Sequence, residues 1–305
     1  MQICGQLTSD RPLALALGGF DGIHLGHVQV LRAVTDTAWT PAVFTFRDLI
    51  PAVKHTRQLV SARQQADQLT DLGIARLYLA DFAQLHALTP EAFVREILHE
   101  RLRARRVACG FNYRFGCHGA GDSDALKRLC ATYGIETIVV PPVLLDGAPV
   151  SSTRIRTAVA AGEMELAARM LGRPYRIDFE VVHGRALGRT IGLPTINQPF
   201  PEAFVLPKFG VYAAAVTIDG RSYHAVTNIG VKPTVGADGP LAETCIAGYH
   251  GDLYGKCVPV QLLRFLRPEQ KFDSIERLRS QIVRDADTAE RVLTALRETK
   301  ESDKI

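Results

Sequence analysis

The chain has 305 residues, of which 47% are hydrophobic and 22% charged, a composition typical of a globular protein of about two domains. The formal net charge of +4 suits anionic small ligands such as nucleotides and is too small to indicate DNA or RNA binding. No apolar run is long enough to cross a membrane and no signal peptide is recognisable, so we expect a cytoplasmic protein whose six cysteines are reduced.

The first half of the chain alternates short apolar runs with helical patterns. Strands are predicted at Leu13–Leu17, Val43–Phe46, Ala75–Leu79, Arg106–Cys109 and Thr137–Val140, and helices at 26–37, 62–72, 90–102 and 122–133. Thr89 followed by Pro90 is a favourable helix start, because proline fits the first helical position. Strands that alternate with helices of this length predict βαβ units and a parallel sheet covered on both faces.

The pattern changes near Leu171–Pro174, so we predict a first domain over residues 1–171 and a second over residues 172–305. In the second domain, short apolar stretches are broken by Gly, Pro, Asn and Asp, which favours a sandwich or barrel. Asp219-Gly220 lies between two such stretches and predicts a tight hairpin turn. A final amphipathic helix is predicted over Ser274–Thr294, with four apolar residues on one face: Ile275, Leu278, Ile282 and Val283.

A glycine-rich segment follows the first predicted strand and opens the first helix. Its glycines, including Gly18 and Gly22, let backbone N–H groups approach a phosphate, and the helix N-terminus favours negative charge. His24 and His27 are three residues apart and therefore share one helix face, where they can donate hydrogen bonds to a phosphate that gains charge. The alternative is a plain glycine turn with two capping or surface histidines.

Two further segments follow later strands of the first half. Ser151–Arg156 places hydroxyls and arginines at the start of a helix, where they are natural phosphate ligands or simple caps. Gly110–Gly116 is a glycine-rich, aromatic loop that either shapes a base or flavin pocket or serves as a connector.

The second half carries a segment dense in glycine from His183 to Asn197. Thr195 and Asn197 are two residues apart, so their side-chain oxygens can reach one Mg²⁺, a cation that prefers oxygen. The glycines can admit an ATP phosphate chain. An ordinary β-turn explains the same residues.

Glu243 is the carboxylate best suited to act as a general base further along the chain. A kinase that phosphorylates a primary alcohol needs a group that orients the hydroxyl and accepts its proton. The alternative is an exposed glutamate on a strand.

Two sets of motifs carry a family resemblance. His24-Leu25-Gly26-His27 after the first strand, with Ser151-Ser152-Thr153 and Arg156 after the last, resembles the HxGH nucleotidyltransferase superfamily. The ordered set from Gly188 to Lys256, which includes Pro194-Thr195-Ile196-Asn197, Asn228-Ile229-Gly230 and Glu243, resembles bacterial riboflavin kinase. Together, over residues 10 to 290, the chain resembles the bifunctional riboflavin kinase/FMN adenylyltransferase, or FAD synthetase, family.

The resemblance implies a Rossmann-like HxGH nucleotidyltransferase domain (α/β) followed by a small riboflavin-kinase β-barrel of six strands with a C-terminal helix. It implies that riboflavin is phosphorylated to FMN and that FMN is adenylylated to FAD, with ATP and Mg²⁺ and with release of pyrophosphate. ATP for adenylyl transfer would contact Gly18, Phe20, Gly22, His24, His27, Asn112, Ser152, Thr153 and Arg156. ATP for the kinase would contact Gly188, Gly192, Pro194, Thr195 and Asn197. Catalysis would rest on His24, His27 and Arg156 in one half and on the base Glu243 in the other, with Thr195 and Asn197 as metal ligands.

One segment departs from the family pattern. Arg47-Asp48-Leu49-Ile50-Pro51 lacks two prolines that many family members carry in a TF-x-P-x-P sequence. A riboflavin kinase with an idle or redirected nucleotidyltransferase domain is therefore an alternative, and a flavin-binding regulator without turnover is another. The partners expected are small molecules only, with neither nucleic acid nor membrane, and a homo-oligomer stays open.

Overall fold

A computed structural model describes residues 1–46, 57–184, 194–231 and 239–302. The chain forms two compact units, Met1–Ser152 and Thr153–Ile305. The domain boundary predicted after Leu171 stays a prediction about where the two functional halves divide.

The first unit is built on a six-stranded sheet in which every neighbouring pair is parallel. Its strands are β1 (Gln2–Cys4), β2 (Leu13–Leu17), β3 (Thr40–Phe46), β4 (Arg76–Ala80), β5 (Ala104–Gly110) and β6 (Glu136–Val140). Their order across the sheet is β1-β4-β3-β2-β5-β6. The predicted α/β class is confirmed, because the five predicted strands all lie in this sheet.

Helices cover both faces of the sheet. They are α1 (Leu25–Thr35), α2 (Ala62–Asp71), α3 (Phe82–Leu85), α4 (Pro90–Ala92), which continues as a π-helix (Phe93–Arg101), and α5 (Ser123–Ala131). All five side chains of β2 are buried, with Leu13, Leu15 and Leu17 in one apolar cluster and Ala14 and Ala16 in another. A strand buried on both faces explains why its sequence is a continuous apolar run.

The strand order reverses at β2, which lies between β3 and β5. The connection through α1 leads from β2 to β3 on one side, and β5 lies on the other side. In open parallel sheets, ligands bind in the crevice at the carboxyl ends of the two strands beside such a reversal. The segments that follow β2 and β5 are therefore the candidate ligand-binding segments of this unit.

The second unit begins with two helices, α6 (Ser152–Ala161), whose first residue still belongs to the first unit, and α7 (Met164–Leu171). Six antiparallel strands follow: β9 (Tyr175–Ile177), β10 (Thr195–Pro199), β11 (Gly210–Ile218), β12 (Arg221–Val231), β13 (Pro240–Ile246) and β14 (Val260–Arg267). A small hairpin, β7 (Leu144–Leu145) and β8 (Ala148–Pro149), precedes them in the first unit.

The six strands form a curled sheet in the order β10-β13-β12-β11-β14-β9. The segment after β9 pairs back to the opposite edge, where Val182 bridges to Asn197 of β10. The predicted all-β second half is confirmed. The predicted hairpin turn is confirmed as well, because Asp219 and Gly220 join β11 to β12 with positive φ values of 49° and 77°, the conformation that matches the twist of a hairpin.

A long C-terminal helix, α8 (Ile275–Ser302), packs on the face formed by β11, β12 and β14. Its buried residues are Asp285, Ala289 and Val292, in its middle and second half. The predicted apolar face is used only in part for packing, because the side chains of Ile275 and Val283 are exposed. The helix meets the sheet further along, at Ala289 and Val292, with Ala286 and Leu293 packed beside them.

Candidate active sites

The segment from Gly18 to His27 forms a tight turn with unusual backbone angles. Phe20 has φ = 50°, Gly22 has φ = 86° and Ile23 has φ = 38°. A positive φ is rare for a β-branched residue, and such strain costs about 1–3 kcal/mol and clusters at functional sites. The side chains of Phe20 and Ile23 are fully buried, and their packing holds the turn in this conformation.

His24 is the N-cap of α1, and its ring accepts a hydrogen bond at Nδ1 from the His27 backbone N–H over 3.2 Å. Because Nδ1 is the acceptor, the neutral ring carries its hydrogen on Nε2. The two histidine rings stack with centroids 3.7 Å apart. Gly26 makes this possible, since a Cβ there would lie 3.1 Å from Cε1 of His24.

Three polar side chains form hydrogen bonds that help to hold the turn in place. The Asp21 carboxylate accepts from the Leu59 N–H at 3.0 and 3.2 Å, and the Gln65 amide donates to the Phe20 carbonyl at 3.2 Å. Ser152 donates its hydroxyl hydrogen to the Asp21 carbonyl at 2.8 Å. This bond uses the one hydrogen of the hydroxyl, so in this structure Ser152 supports the turn. Its role as a ligand of ATP stays a prediction from the sequence. Sequence reasoning missed Asp21 and Gln65, because neither lies in a recognisable spacing.

The predicted residue Asn112 lies in the exposed turn just after β5, at the strand end beside β2. Its neighbour Phe111 donates its N–H to the Val140 carbonyl at 3.0 Å, which fixes this turn against β6. Gly18, Phe20, Gly22, His24 and His27 follow β2, so the fold brings these five and Asn112 to the same sheet edge. Thr153 and Arg156 lie on α6 after Ser152.

An aromatic row continues from the loop after β5. Tyr113 stacks on Phe115, with centroids 5.9 Å apart, and Phe115 contacts Phe93, which contacts Phe44 of β3. Burial raises the pKa of the Tyr113 hydroxyl well above its usual range. Phe115 is buried in the apolar core of the first unit and Tyr113 packs against it, so these contacts attach the loop to the core.

In the second unit, Thr195 and Asn197 lie on β10 and point to the same face, as alternate residues of a strand do. Glu243 of β13 stands directly opposite Asn197 in the antiparallel ladder. The Thr195 hydroxyl donates to Oε1 of Glu243 at 3.2 Å. The strand register thus joins three predicted site residues that are up to 48 positions apart.

Asn197 also contacts the start of the glycine-rich segment, at Gly184. It is buried, and a Cβ at Gly184 would lie 2.5 Å from its Nδ2, so only glycine leaves room for the amide. The ring of His183 stacks on Tyr254 with centroids 3.8 Å apart. The predicted residue Pro194 directly precedes β10. Gly188, Gly192 and the altered segment 47–51 lie outside the described residues.

Comparison with known proteins gives two family matches. The family described as FAD synthetase matches residues 6–154, and the family described as riboflavin kinase matches residues 171–293. No helix in the described part of the chain is both long and apolar enough to cross a membrane.

Full-length relatives match as well. The bifunctional riboflavin kinase/FMN adenylyltransferase of Pseudomonas fluorescens is 36% identical over 97% of this chain and 98% of its own length. The protein of that name from Listeria monocytogenes is 34% identical over 91% of each chain. A crystal structure described as a macrolide-efflux protein from Streptococcus pneumoniae is 30% identical, with a TM-score of 0.84 over 95% of this chain and 99% of that one. The chain therefore belongs to the bifunctional riboflavin kinase/FMN adenylyltransferase family.

Proposed function

We propose that this chain phosphorylates riboflavin to FMN on a domain formed by residues 172–305, and adenylylates FMN to FAD on a domain formed by residues 1–171. Both steps consume ATP, and the second releases pyrophosphate. The observation that carries the proposal is the meeting of Thr195, Asn197 and Glu243 on one face of the second sheet. Both family domains are present in the chain, and these three residues supply an arrangement that suits phosphoryl transfer.

In the kinase step, Glu243 orients the primary alcohol of riboflavin and accepts its proton as the oxygen attacks the γ-phosphate of ATP. The hydrogen bond from Thr195 fixes the rotamer of the Glu243 side chain. Because the Thr195 hydroxyl donates to Glu243, its lone pairs face away from the carboxylate and remain suited to a cation.

The donor set fits Mg²⁺. Within the described residues there is no group of three or more His, Cys, Asp or Glu side chains that could hold a metal by themselves. Mg²⁺ in phosphoryl-transfer enzymes is usually bound by one or two protein oxygens together with the substrate phosphates. The Thr195 hydroxyl and the side-chain amide oxygen Oδ1 of Asn197 would hold Mg²⁺ there. When bound, the cation would neutralise charge on the transferred phosphoryl group.

In the adenylyl step, the phosphate of FMN is itself the nucleophile, so the protein has to position it and stabilise charge. The Nε2–H of His24 and the imidazole of His27 would donate to the phosphates of ATP, with Gly18, Phe20 and Gly22 shaping the turn beneath. Asn112, Thr153 and Arg156 would complete the ATP contacts, as the family resemblance implies.

The test uses single variants of the full chain with riboflavin, ATP and Mg²⁺, and separates FMN from FAD by chromatography. Glu243→Gln should lower kinase turnover by about 10²–10⁴-fold and leave FAD formation from FMN intact. His27→Ala should lower FAD formation by about 10²–10³-fold and leave the kinase intact. Glu165→Gln, which removes an exposed carboxylate bonded to Arg264, is the matched control for the kinase.

The outcomes separate the competing functions. Unchanged kinase turnover in Glu243→Gln would refute the base assignment. FMN that accumulates in the wild type without FAD would leave the kinase-only alternative, whose motivation is the segment 47–51. Absence of turnover in both assays would leave the flavin-binding regulator. We also propose that the enzyme works in the cytoplasm. The sequence leaves a homo-oligomer open, and light scattering of the purified protein would measure its oligomeric state.

A further inference from the structure

The segment Asn228-Ile229-Gly230 on β12 has a place in the kinase motif but no role in the mechanism above. Asn228 stands directly opposite Glu243 in the ladder between β12 and β13. Directly opposed residues of an antiparallel pair share a face and lie about 5 Å apart at Cβ. Asn197, Glu243 and Asn228 therefore form one polar row across three strands.

A second carboxylate lies at the end of this row. Asn228 donates from Nδ2 to Oε1 of Glu269 at 2.9 Å. A Cβ at Gly230 would collide with the same carboxylate and come within 2.7 Å of its carboxyl carbon. The backbone of Gly230 is outside the left-handed region, so an alanine here would fit the backbone and would push the Glu269 carboxylate aside.

The turn that carries Glu269 is anchored independently. Arg267, the last residue of β14, binds the buried Asp285 of α8 with Nη2 and Oδ2 2.7 Å apart. Its Nη1 donates to the Pro268 carbonyl at 3.2 Å. These contacts hold the backbone that leads to Glu269, and the exposed Glu269 side chain reaches Asn228 from it.

This arrangement sets the orientation of one amide. A carboxylate only accepts hydrogen bonds, so Glu269 selects the rotamer of Asn228 that turns Nδ2 toward it and Oδ1 away from it. We propose that Asn228 Oδ1 accepts a hydrogen bond from a hydroxyl of the riboflavin polyol chain beside the base Glu243, and that Glu269 is the positioning residue that keeps this amide in place. The inference rests on the proposed kinase function and deepens it.

The first test compares two variants that remove the carboxylate in different ways. Glu269→Ala deletes it, and Gly230→Ala displaces it with a methyl group that meets only the end of a flexible side chain. Both should raise KM for riboflavin about 5–30-fold, the loss expected for one hydrogen bond, with KM for ATP changed less than about twofold. Glu269→Gln should retain near-normal KM, because its amide oxygen still accepts from Asn228. Glu165→Ala is the matched control, since it removes an exposed carboxylate bonded to Arg264.

A double-mutant cycle tests whether Glu269 acts through Asn228. The double variant Asn228→Ala/Glu269→Ala should have the same KM for riboflavin as Asn228→Ala alone, because residues that act as one unit are not additive. Additive effects, an equal rise in KM for ATP, or no change in Gly230→Ala would overturn the inference. Kinase kcat at saturating riboflavin and thermal unfolding of the same preparations report correct folding of the second unit. If wild-type protein makes no FMN, the proposed function fails; if it does and the variants match it, this inference alone fails.

Discussion

Replacement of Gly26 by alanine places one methyl group against the ring of His24. The added Cβ would lie 3.1 Å from Cε1 and 3.2 Å from Nδ1 of that ring, closer than the ordinary carbon contact of about 3.5–4.0 Å. The ring has little room to retreat, because it stacks on His27 at 3.7 Å and accepts from the His27 N–H. We expect His24 to shift by a few tenths of an ångström (about the overlap) and to loosen its cap.

Two opposing terms decide the effect of Gly26→Ala on stability. Alanine favours a helix over glycine by about 0.5–1 kcal/mol, while a weakened N-cap costs about 0.5–2 kcal/mol. The net change in the free energy of unfolding should therefore lie between a gain of about 0.5 kcal/mol and a loss of about 1.5 kcal/mol. Catalysis has no such compensation: a misplacement of about 1 Å costs on the order of 10²-fold, so a smaller shift should lower adenylyl-transfer kcat/KM about 5–30-fold.

The assay is FAD formation from FMN and ATP, measured beside riboflavin phosphorylation on the same preparation of the Gly26→Ala variant. Thermal unfolding supplies the stability term. An adenylyl-transfer rate within twofold (about 0.4 kcal/mol) of the wild type would show that the His24 ring position is not critical. A parallel fall in both activities would show that the methyl group damages the whole chain and would refute the reasoning.

Three further predictions test other contacts. Asp285→Ala leaves the guanidinium of Arg267 partly buried without its carboxylate, and should lower the free energy of unfolding by about 3 kcal/mol in urea titrations. A loss below about 0.5 kcal/mol would show a pair no stronger than a surface ion pair. Gly121→Ala places a Cβ 2.5 Å from the buried Phe115 ring, and should lower the unfolding temperature; an unchanged unfolding temperature would show that the ring moves freely. Burial raises the pKa of Cys109 to about 12. The unfolded thiol titrates near 9, so stability should fall as pH rises from about 9 to about 12, and less steeply in Cys109→Ala; equal slopes would contradict this.

The first sheet was predictable chiefly because its central strand β2 is buried on both faces and the strands beside it are largely apolar. The prediction for Leu13–Leu17 has the observed bounds, and Thr89 and Pro90 start a helix as predicted. The π-helical turns after Pro90 were not predicted, since nine residues with buried positions at Phe93, Val94, Ile97 and Leu98 fit an α-helix equally well. Strand β1 was missed because three partly exposed residues carry no periodic signal.

The C-terminal helix shows what periodicity leaves out. The spacing of four apolar residues on one helix face correctly predicts a helix here: Ile275, Leu278, Ile282 and Val283. Which part of a long helix meets the sheet depends on where β11 and β12 end, and this is a tertiary property. The contact falls on Ala289 and Val292, in the second half of the helix.

The two candidate sites differed in how far the sequence could locate them. His24, Gly26 and His27 are adjacent in sequence, so a local motif contains most of their geometry. The pairing of Thr195 with Glu243 depends on the register of β10 and β13, which no local pattern specifies. Glu269 had no signal, since its link to Asn228 spans 41 positions and becomes visible only through the contact itself.

The same difference determines how each site should respond to change. The adenylyl-transfer site is a strained turn held by a few hydrogen bonds. A single methyl group at Gly26 would therefore displace the ring of His24 and lower the rate of adenylyl transfer directly. The kinase site is a row of side chains fixed by strand register, and a one-residue slip of β13 would turn Glu243 to the opposite face of the sheet. Substitutions that loosen the β12–β13 ladder should therefore abolish phosphorylation before they unfold the unit, whereas the turn after β2 should lose rate gradually as its strain is relieved.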